Sequence, residues 1–422
     1  MKLSLKYYPR WDDKALAIID DLSFHTTRLY NTVNYEIVQN GLTSNYYDLE
    51  KQFKSNWHRG YLHSHNYQQC LKLLSQNYSA YYSSLKDFKQ NPHKYKGMPR
   101  PPNFKNLTNN KNEVIFTKLA IRVSSNGLIK LSLSKLMQTR YSVNSLNLKL
   151  DVEVLKRLDV SAINQLRLAY DHRKSKWSLI IIHTVADQVV DSDFENIMSI
   201  DLGLNNICAM TFKDNTNQIL ISGRRAKSKN AYFNKEIAKL NSLNMKSLKD
   251  ARKHKMTRRI KSLYNKRNDY MKDFSHKVSH TVIRLALENG CNTIVLGDLK
   301  DIKQHKKMKS FVQIPIALIV CQIKYKAMLV GITVTLINES YTSKTSAIDL
   351  EDVKKHDVYL GNRTKRGLFV SAHKILINAD INGSLNILRK YLSQKHNTCN
   401  PRLVQQARAN GYVSNPTKIM VA

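Results

Sequence analysis

The sequence predicts a multidomain protein of mixed α/β and α+β class, and three observations lead to this prediction. The spacing of apolar residues is helical between about residues 14 and 89, strand-like between 113 and 190, and alternates between strands and helices beyond 191. A break rich in proline and glycine at residues 91–102 separates the first two regions. The total of 422 residues is enough for two or three domains with separate cores.

The first half of the chain predicts a small β-barrel that is interrupted by a helical insert. Residues 2–8 alternate like a short strand that stops at Pro9, and helical spacing runs from Lys14 to Lys89. Five more strands are predicted at Glu113–Phe116, Leu128–Leu133, Asn147–Val152, Leu166–Asp171 and Trp177–Val185. A barrel that takes its first strand from residues 2–8 is the simplest fold for these segments.

The second half predicts a single larger domain in which strands come first and helices follow. Its elements, in order, are strands Ile197–Asp201, Ile207–Phe212 and Ile219–Ser222, a basic helical segment within 223–289, strand Thr293–Leu296, helix Pro315–Val330, strand Thr333–Ile337 and a last helix that begins near Ala379. Three strands, helix, strand, helix, strand, helix is the order of a ribonuclease H-like fold. That fold assembles acids from separate strands around two metal ions.

The charge of the chain predicts a polyanionic partner. Lys and Arg number 68 against 32 Asp and Glu, which makes the formal net charge +36. A solvated surface is a weak explanation for such an excess, because self-repulsion destabilises a compact protein that lacks a counter-charge. Nucleic acid is favoured over a membrane surface. The first six residues lack a signal-peptide core, and no apolar run reaches membrane-spanning length, so we expect a soluble intracellular protein. The five cysteines form no C-x-x-C pair, so we expect no zinc site made only of cysteines.

Three acids stand where a buried element ends or begins. Asp201 and Glu339 follow strand-like runs, and Asp380 lies at the mouth of the last helix. Carboxylates are costly in such places unless they bind a cation, and together they predict a divalent-metal site. Each acid has an alternative interpretation: Asp201 as a turn residue, Asp380 as a helix cap and Glu339 as a surface acid.

Five segments of the second half resemble a known family. They are S-I-D-L-G-L-N-N at 199–206, D-F-S-H-K-V-S at 273–279, N-E-S-Y-T-S-K-T-S at 338–346, K-R-G-L-F-V-S at 365–371 and I-N-A-D-I-N-G-S-L-N-I at 377–387. Through them the chain resembles the TnpB family of insertion-sequence RNA-guided nucleases, which is related to the compact type V CRISPR effectors. The resemblance implies a RuvC-like nuclease domain that cuts DNA chosen by base pairing to a guide RNA, next to a short flanking motif.

The sequence departs from the family pattern at two places. Gly297 stands where most members have the second catalytic acid, at the end of the strand that begins at Thr293. Some similar members supply this acid from the next strand, and Glu339 fits that relocation, with Asp298 as the fallback candidate. The second departure is the absence of paired cysteines between Tyr341 and Asp380, so no structural zinc is expected.

The resemblance also implies the domains and the roles of residues. We expect residues 1–12 and 113–190 to form the β-barrel (wedge) domain, 13–112 a helical recognition domain, and 191–422 the nuclease domain, with a lid or target-nucleic-acid-binding insertion at 340–376 and a disordered tail at 400–422. Asp201, Glu339 and Asp380 are the expected catalytic ligands of two Mg²⁺ ions, for which Mn²⁺ could substitute, with Asp201 bridging. The expected nucleic-acid contacts are Arg224, Arg225, Arg252, Lys255, Arg258, Arg259, Lys266, Arg267, His276, Lys277, Tyr341, Lys344, Lys365 and Arg366.

The expected partners are a guide RNA, the target double-stranded DNA and its displaced single strand, in the cytoplasm of a prokaryote and associated with the nucleoid. Two alternatives to an active nuclease stay open. One is an RNA-guided repressor that binds DNA without cutting it, which the glycine at 297 favours. The other is a transposase, which can use a similar fold. The oligomeric state, the guide and the flanking motif do not follow from the sequence.

Overall fold

The computed structural model describes residues 1–108, 111–124, 126–156, 158–186, 188, 196–246, 256–298, 314–365, 367–396 and 401–421. The chain divides into two compact units, Met1–Ala186 and Asp187–Ala422. None of the helices in the described ranges is long and apolar enough to cross a membrane.

The first unit combines six α-helices with seven strands in the described residues. The helices are α1 (Asp13–Gln39), α2 (Tyr46–Gln52), α3 (Trp57–Tyr61), α4 (Ser64–Gln90), α5 (Lys135–Tyr141) and α6 (Val152–Leu155). The strands are β1 (Lys2–Tyr7), β2 (Val114–Thr117), β3 (Ile121–Val123), β4 (Leu128–Ser132), β5 (Ser145–Lys149), β6 (Ile163–Asp171) and β7 (Lys176–Thr184). The side chain of Asp12 caps α1, and the apolar residues at three- and four-residue spacing in α1 and α4 are buried in one core.

The strands of the first unit form two antiparallel sheets, whereas the sequence predicted one small barrel. One sheet has the order β1-β7-β6-β2 and the other the order β3-β4-β5. Leu3 lies opposite His183, so the first residues of the chain do join the strands near residue 180. The separation follows from β3, which pairs with β4 alone and has no partner in the larger sheet.

The second unit is built on a mixed sheet that is covered on both faces. Its strands are β8 (Ile197–Asp201), β9 (Asn206–Phe212), β10 (Gln218–Ser222), β11 (Thr293–Asp298), β12 (Thr333–Asn338), β13 (Asn362–Lys365), β14 (Leu368–Val370), β15 (Leu376–Asn378) and β16 (Thr417–Met420). Its helices are α7 (Arg224–Lys246), α8 (Arg258–Glu288), α9 (Ile316–Leu329), α10 (Ala379–His396) and α11 (Arg402–Asn410). The main sheet has the order β12-β11-β8-β9-β10-β16, and β13-β14-β15 form a separate small sheet.

The directions of the strands place three chain segments at one edge. β8, β11 and β12 are parallel neighbours, while β9 is antiparallel to both β8 and β10. Parallel strands end at the same edge, so the residues that follow β8, β11 and β12 lie side by side. Helices α8 and α9 pack on one face of the sheet, where Ile294 and Leu296 point. Helix α10 packs on the other face, against Ile197 and Val295.

The end of the chain differs from the prediction of a disordered tail at 400–422. Residues 402–410 form α11, and Leu403 and Val404 of this helix are buried. The following strand β16 pairs in parallel with β10, with Lys418 opposite Leu220. Strand β16 has only four residues, two of them apolar, and this pattern is too short to predict a strand from the sequence. The strand forms because its backbone pairs with the free hydrogen-bonding groups at the edge of the sheet.

Candidate active site

Asp201 is the last residue of β8 and lies against helix α10. A Cβ atom at Gly383 of that helix would be 2.6 Å from Asp201 Oδ2, so only glycine lets the helix pass so close to the carboxylate. Buried hydroxyls fix the approach at the next residue of the helix, Ser384. Ser199 Oγ lies 2.7 Å from Thr211 Oγ1 and donates to the backbone carbonyl of Ser384 at 2.8 Å. The position of Asp201 is therefore set by a small residue and a polar layer, and the turn-residue alternative does not describe it.

Glu339 follows the edge strand β12, and its side chain folds back over the neighbouring strand β11. A Cβ atom at Gly297 would lie 1.7 Å from Glu339 Oε1. The Glu339 carboxylate thus occupies the space that a side chain at residue 297 would fill. The Glu339 carbonyl accepts hydrogen bonds from Thr342 N at 3.1 Å and Thr342 Oγ1 at 2.8 Å, and Lys390 Nζ donates to the carbonyl of Asn338 at 2.9 Å.

The loop after Glu339 is tied to α10 by the side-chain amides of two asparagines. Asn386 Nδ2 donates to the carbonyls of Thr342 at 2.9 Å and Thr345 at 2.7 Å. Asn382 Nδ2 donates to the Thr345 carbonyl at 2.8 Å, and its Oδ1 accepts from Ala347 N at 3.0 Å. Because both asparagines are fully buried, these bonds cannot be exchanged for bonds to water without cost.

Asp380 lies in the first turn of α10 and is not the cap of this helix. Asn378 Oδ1 accepts from Asp380 N at 3.0 Å, so Asn378 is the capping residue and the Asp380 carboxylate is free for other partners. Asn206 Nδ2 donates to Asp380 Oδ2 at 2.7 Å, and Arg363 Nη2 lies 3.7 Å from Asp380 Oδ1.

Two of the three carboxylates, those of Asp201 and Glu339, are harder to ionise than ordinary acids. Burial and the Asp380 carboxylate raise the pKa of Asp201 to about 7, against the opposite effect of Arg363. Burial, together with the charges of Asp201 and Asp298, raises the pKa of Glu339 to about 8. Perturbed acids that lie together in this way are typical of functional sites. A bound divalent cation would favour the ionised forms and reverse both shifts.

The arrangement fits cations that are shared between pairs of acids. Glu339 Oε1 is buried and has no hydrogen-bond partner, which is the state of a ligand atom that awaits a cation. In the described residues, no three His, Cys, Asp or Glu side chains surround one point. The charge of Asp380 acts on Asp201 and the charge of Asp201 acts on Glu339, so Asp201 interacts with both other acids, as a residue that bridges two ions would. The surface-acid alternative for Glu339 does not agree with its buried oxygen.

Asp298, the fallback candidate, has a different position. It is the last residue of β11 and lies opposite Asn338. Alternation along the strand places residue 298 on the same face as Ile294 and Leu296, which pack toward α8 and α9, and away from the face of Gly297. The structure therefore brings Glu339, rather than Asp298, to the side of the sheet on which Asp201 lies.

Two of the predicted nucleic-acid contacts lie beside the acids. Arg224 and Arg225 begin α7 and line a cavity of about 780 Å³, together with Asn206, Arg363 and Asp380. Tyr341 and Lys344 lie exposed in the loop after Glu339, and Lys365 is exposed in β13. Arg252, Lys255 and Arg366 fall outside the described residues.

The remaining predicted contacts lie along α8. Arg258, Arg259 and Lys266 are exposed there. Arg267 donates instead to Asn230 of α7, and Lys277 pairs with Asp273 at 2.9 Å, so these two cations already have protein partners.

His276 is half-buried, and its backbone carbonyl takes part in the packing of α8 against α9. Its carbonyl accepts from Lys326 Nζ at 2.8 Å and from Ser279 Oγ at 3.0 Å. Burial and the charge of Lys326 lower the pKa of its imidazole. These contacts join α8 to α9 through the backbone of His276.

Three residues of the site were not singled out by the sequence. Asn206 and Arg363 contact Asp380, and Gly383 leaves room for Asp201. Asn206 and Gly383 lie inside segments that carry the family resemblance, so their positions held the only available signal. Arg363 approaches from β13, and a contact between distant segments cannot be deduced from local patterns.

Comparisons with known proteins identify relatives of both halves of the second unit. A family model described as "Probable transposase" (OrfB_IS605) matches residues 182–303, and a model described as "Cas12f1-like, TNB domain" matches residues 318–387. The TnpB-like protein ORF457 of Acidianus two-tailed virus is 25% identical over 414 residues, which cover 90% of this chain and 84% of that protein.

Two Cas12f1 endodeoxyribonucleases match over shorter stretches. The protein of Syntrophomonas palmitatica is 28% identical and that of Sulfoacidibacillus thermotolerans is 25% identical. The matches cover 43% and 52% of this chain, and the chain spans only 37% and 52% of the length of these two proteins.

Solved structures show the same fold at low sequence identity. The Cas12f1–sgRNA–target DNA complex matches with a TM-score of 0.61 at 14% identity, over 89% of this chain and 83% of that one. The mini-RNA-guided endonuclease CRISPR-Cas_phi3 matches with a TM-score of 0.54 at 12% identity, over 92% of both chains. The resemblance noted in the sequence is thus confirmed: this chain is a relative of TnpB and of the compact type V effectors, and it has their mixed α/β fold.

Proposed function

We propose that this protein is an RNA-guided DNA endonuclease that hydrolyses DNA phosphodiesters with two Mg²⁺ ions. Guide RNA and target DNA are the proposed partners, and the displaced strand and a short flanking DNA motif complete the substrate. The relatives that are named as endodeoxyribonucleases support this proposal, as does the strand order of the main sheet, which is that of a ribonuclease H-like (RuvC-like) domain. We propose a cytoplasmic, nucleoid-associated location for the same reason.

The position of Glu339 is the observation that carries the proposal. Residue 297 is a glycine, so without an acid from another strand the site would have only two acids. A protein that binds DNA without cutting it would then be the better interpretation. The Glu339 carboxylate fills the space above Gly297, which supports the proposal that the third acid comes from the residue after β12 and favours an active nuclease over a protein that binds without cutting. No feature of the described residues favours a transposase over a guided nuclease.

The roles of the residues follow from their surroundings. When bound, two divalent ions supply an activated water and neutralise the charge that develops on the leaving oxygen. Asp201 would bridge the ions, since Asp380 raises the pKa of Asp201 and Asp201 raises the pKa of Glu339. Glu339 and Asp380 would each be a ligand of one ion. Asn206 orients the Asp380 carboxylate through its 2.7 Å hydrogen bond. Arg224, Arg225 and Arg363 line the adjoining cavity and would bind the phosphates of the strand to be cut.

The test is plasmid cleavage by the protein purified with the RNA of its own locus, with and without Mg²⁺. The wild-type complex should cut only with the metal, and Glu339→Ala should reduce cutting by at least about 1,000-fold while guide-dependent DNA binding is retained, since removing a catalytic group costs several kcal/mol of activation free energy. Glu288→Ala is the matched control, because Glu288 is an exposed glutamate that pairs with Arg284 on the surface of α8. Cutting by Glu339→Ala at the wild-type rate would reject the assignment, and guided binding without cutting by the wild type would reject the nuclease.

A further inference from the structure

The C-terminal strand forms one wall of the cavity that is lined by Asp380. In β16, Ile419 packs against the apolar core, as does Val421 just after it, while Lys418 and Met420 alternate to the other side and are exposed. Lys418 and Met420 line the same 780 Å³ cavity as Asp380. The strand is therefore anchored by one set of side chains and presents the other set to the site.

A second cavity continues from the first along the C-terminal segment. Its volume is about 850 Å³, and it lies between the small sheet β13-β14-β15 and residues 411–418. The two cavities share Gly367, Asn378 and Lys418 as lining residues. Lys418 thus lies at the junction, and the two cavities form one groove that leads away from Asp380.

The lining of this groove has the chemistry of a single-stranded nucleic-acid site. Lys374 and Lys418 line this groove, and Tyr412, whose side chain is 65% exposed, provides a face on which a base can stack. Asp380 is the single acid among the lining residues of the two cavities that the structure describes. Cavities of this volume hold a few nucleotides of one strand, and a double helix is too wide for them.

We infer that the C-terminal segment 411–421 binds the single DNA strand that is cut, with Lys418 on a phosphate and Tyr412 against a base. This inference rests on the proposed function, because it assigns the strand in the groove to the substrate of the same site. It adds a binding role for the end of the chain, which the family models matched at 182–303 and 318–387 do not reach.

The test measures binding of a ten-nucleotide single-stranded DNA to the complete protein with its RNA, in EDTA, so that it does not depend on cleavage. Lys418→Ala should weaken binding about fivefold and lower the slope of log affinity against log salt concentration by about 0.7, the value for one phosphate contact on a single strand. Tyr412→Ala should weaken binding about tenfold with the salt slope unchanged, because stacking involves no counterion. Arg408→Ala is the matched control, since Arg408 is an exposed cation of the preceding helix α11 that lines neither cavity.

A local readout keeps the test independent of folding and of activity. In the wild-type complex, the oligonucleotide should slow the acetylation of Lys418, as measured by mass spectrometry, and leave exposed Lys14 of the first unit unaffected. Equal acetylation with and without DNA, or affinities of both variants that match the control, would overturn the inference even if the complex cuts DNA. A wild-type complex that protects Lys418 but does not cut would uphold the groove and reject only the nuclease.

Discussion

Replacement of Gly297 by alanine is the sharpest test of how this site is built. The new Cβ would lie 1.7 Å from Glu339 Oε1, whereas real contacts of this kind are at least 3.0 Å, so the carboxylate has to move by about 1.3 Å. A displacement of about 1 Å in a catalytic group costs about 100-fold in rate. Gly297 has no positive φ, so alanine is compatible with its backbone and the loss would come from the lack of space alone.

The assay is single-turnover cleavage of a guide-matched plasmid, with thermal unfolding of the same sample measured in parallel. Gly297→Ala should cut about 100-fold more slowly at saturating Mg²⁺ while guided DNA binding is unchanged. Gly97→Ala is the matched control, because a Cβ at Gly97 meets no atom within 4 Å and its φ is not positive. The control should cut at the wild-type rate.

A double exchange distinguishes lack of space from other effects of residue 297. Gly297→Glu combined with Glu339→Gly places the acid on β11 and removes the side chain that occupied its space, so it should restore part of the activity that either change alone destroys. Gly297→Ala that cuts at the wild-type rate would refute the steric reasoning. A double exchange as inactive as Gly297→Glu alone would show that β11 cannot present an acid in this chain.

Two further predictions concern α10 and the first unit. Gly383→Ala should stabilise helix α10 by up to about 1 kcal/mol. It should nevertheless slow cleavage at least about 100-fold, because the new Cβ would lie 2.6 Å from Asp201 Oδ2. A melting temperature that rises or stays constant while cleavage is lost would confirm this prediction, and full activity would contradict it. Burial and the charges of His58 and Arg140 lower the pKa of His25 to about 4. Below pH 6.5 the unfolded chain therefore binds a proton at this histidine that the folded chain does not bind. The free energy of unfolding should consequently fall by up to about 3 kcal/mol between pH 6.5 and pH 4. Urea unfolding followed by tryptophan fluorescence reports on the first unit, which contains all three tryptophans. His25→Phe should reduce this pH dependence, whereas the same change at the exposed His93 should not. An equal effect of both variants would contradict the assignment.

The elements of the second unit follow closely from the sequence. The predicted strand Ile197–Asp201 is reproduced without a shift, and the helix predicted at Pro315–Val330 is Ile316–Leu329. These segments are strongly apolar and buried, so local periodicity and tertiary structure agree. The segment predicted as one basic helical region contains α7 and α8, and α8 begins after Thr257, whose side chain accepts from Ile260 N.

The carboxylates of the site were predictable, but the reason they fit was not. Asp201 and Asp380 stand in the matched segments, and Glu339 was inferred from the glycine at 297 and the order of the strands. The close contacts at Gly297 and Gly383 depend on the separation of neighbouring backbones to within 1 Å, and residue types alone do not contain this information. Arg363 and β16 come from segments whose partners are distant in sequence, and packing rather than local propensity places them.

The amide bonds from α10 to the loop after Glu339 have a consequence for how an acid can change strands. A residue at 297 has a neighbouring strand on each side, since β11 pairs with both β8 and β12, whereas Glu339 lies beyond the end of an edge strand. The asparagines at 382 and 386 supply the support that the second strand would have given. In the proposed relocation, an exchange of two residues alone would therefore leave Glu339 without this support: the helix that carries Asp380 also holds the loop behind Glu339, so the two acids depend on one element.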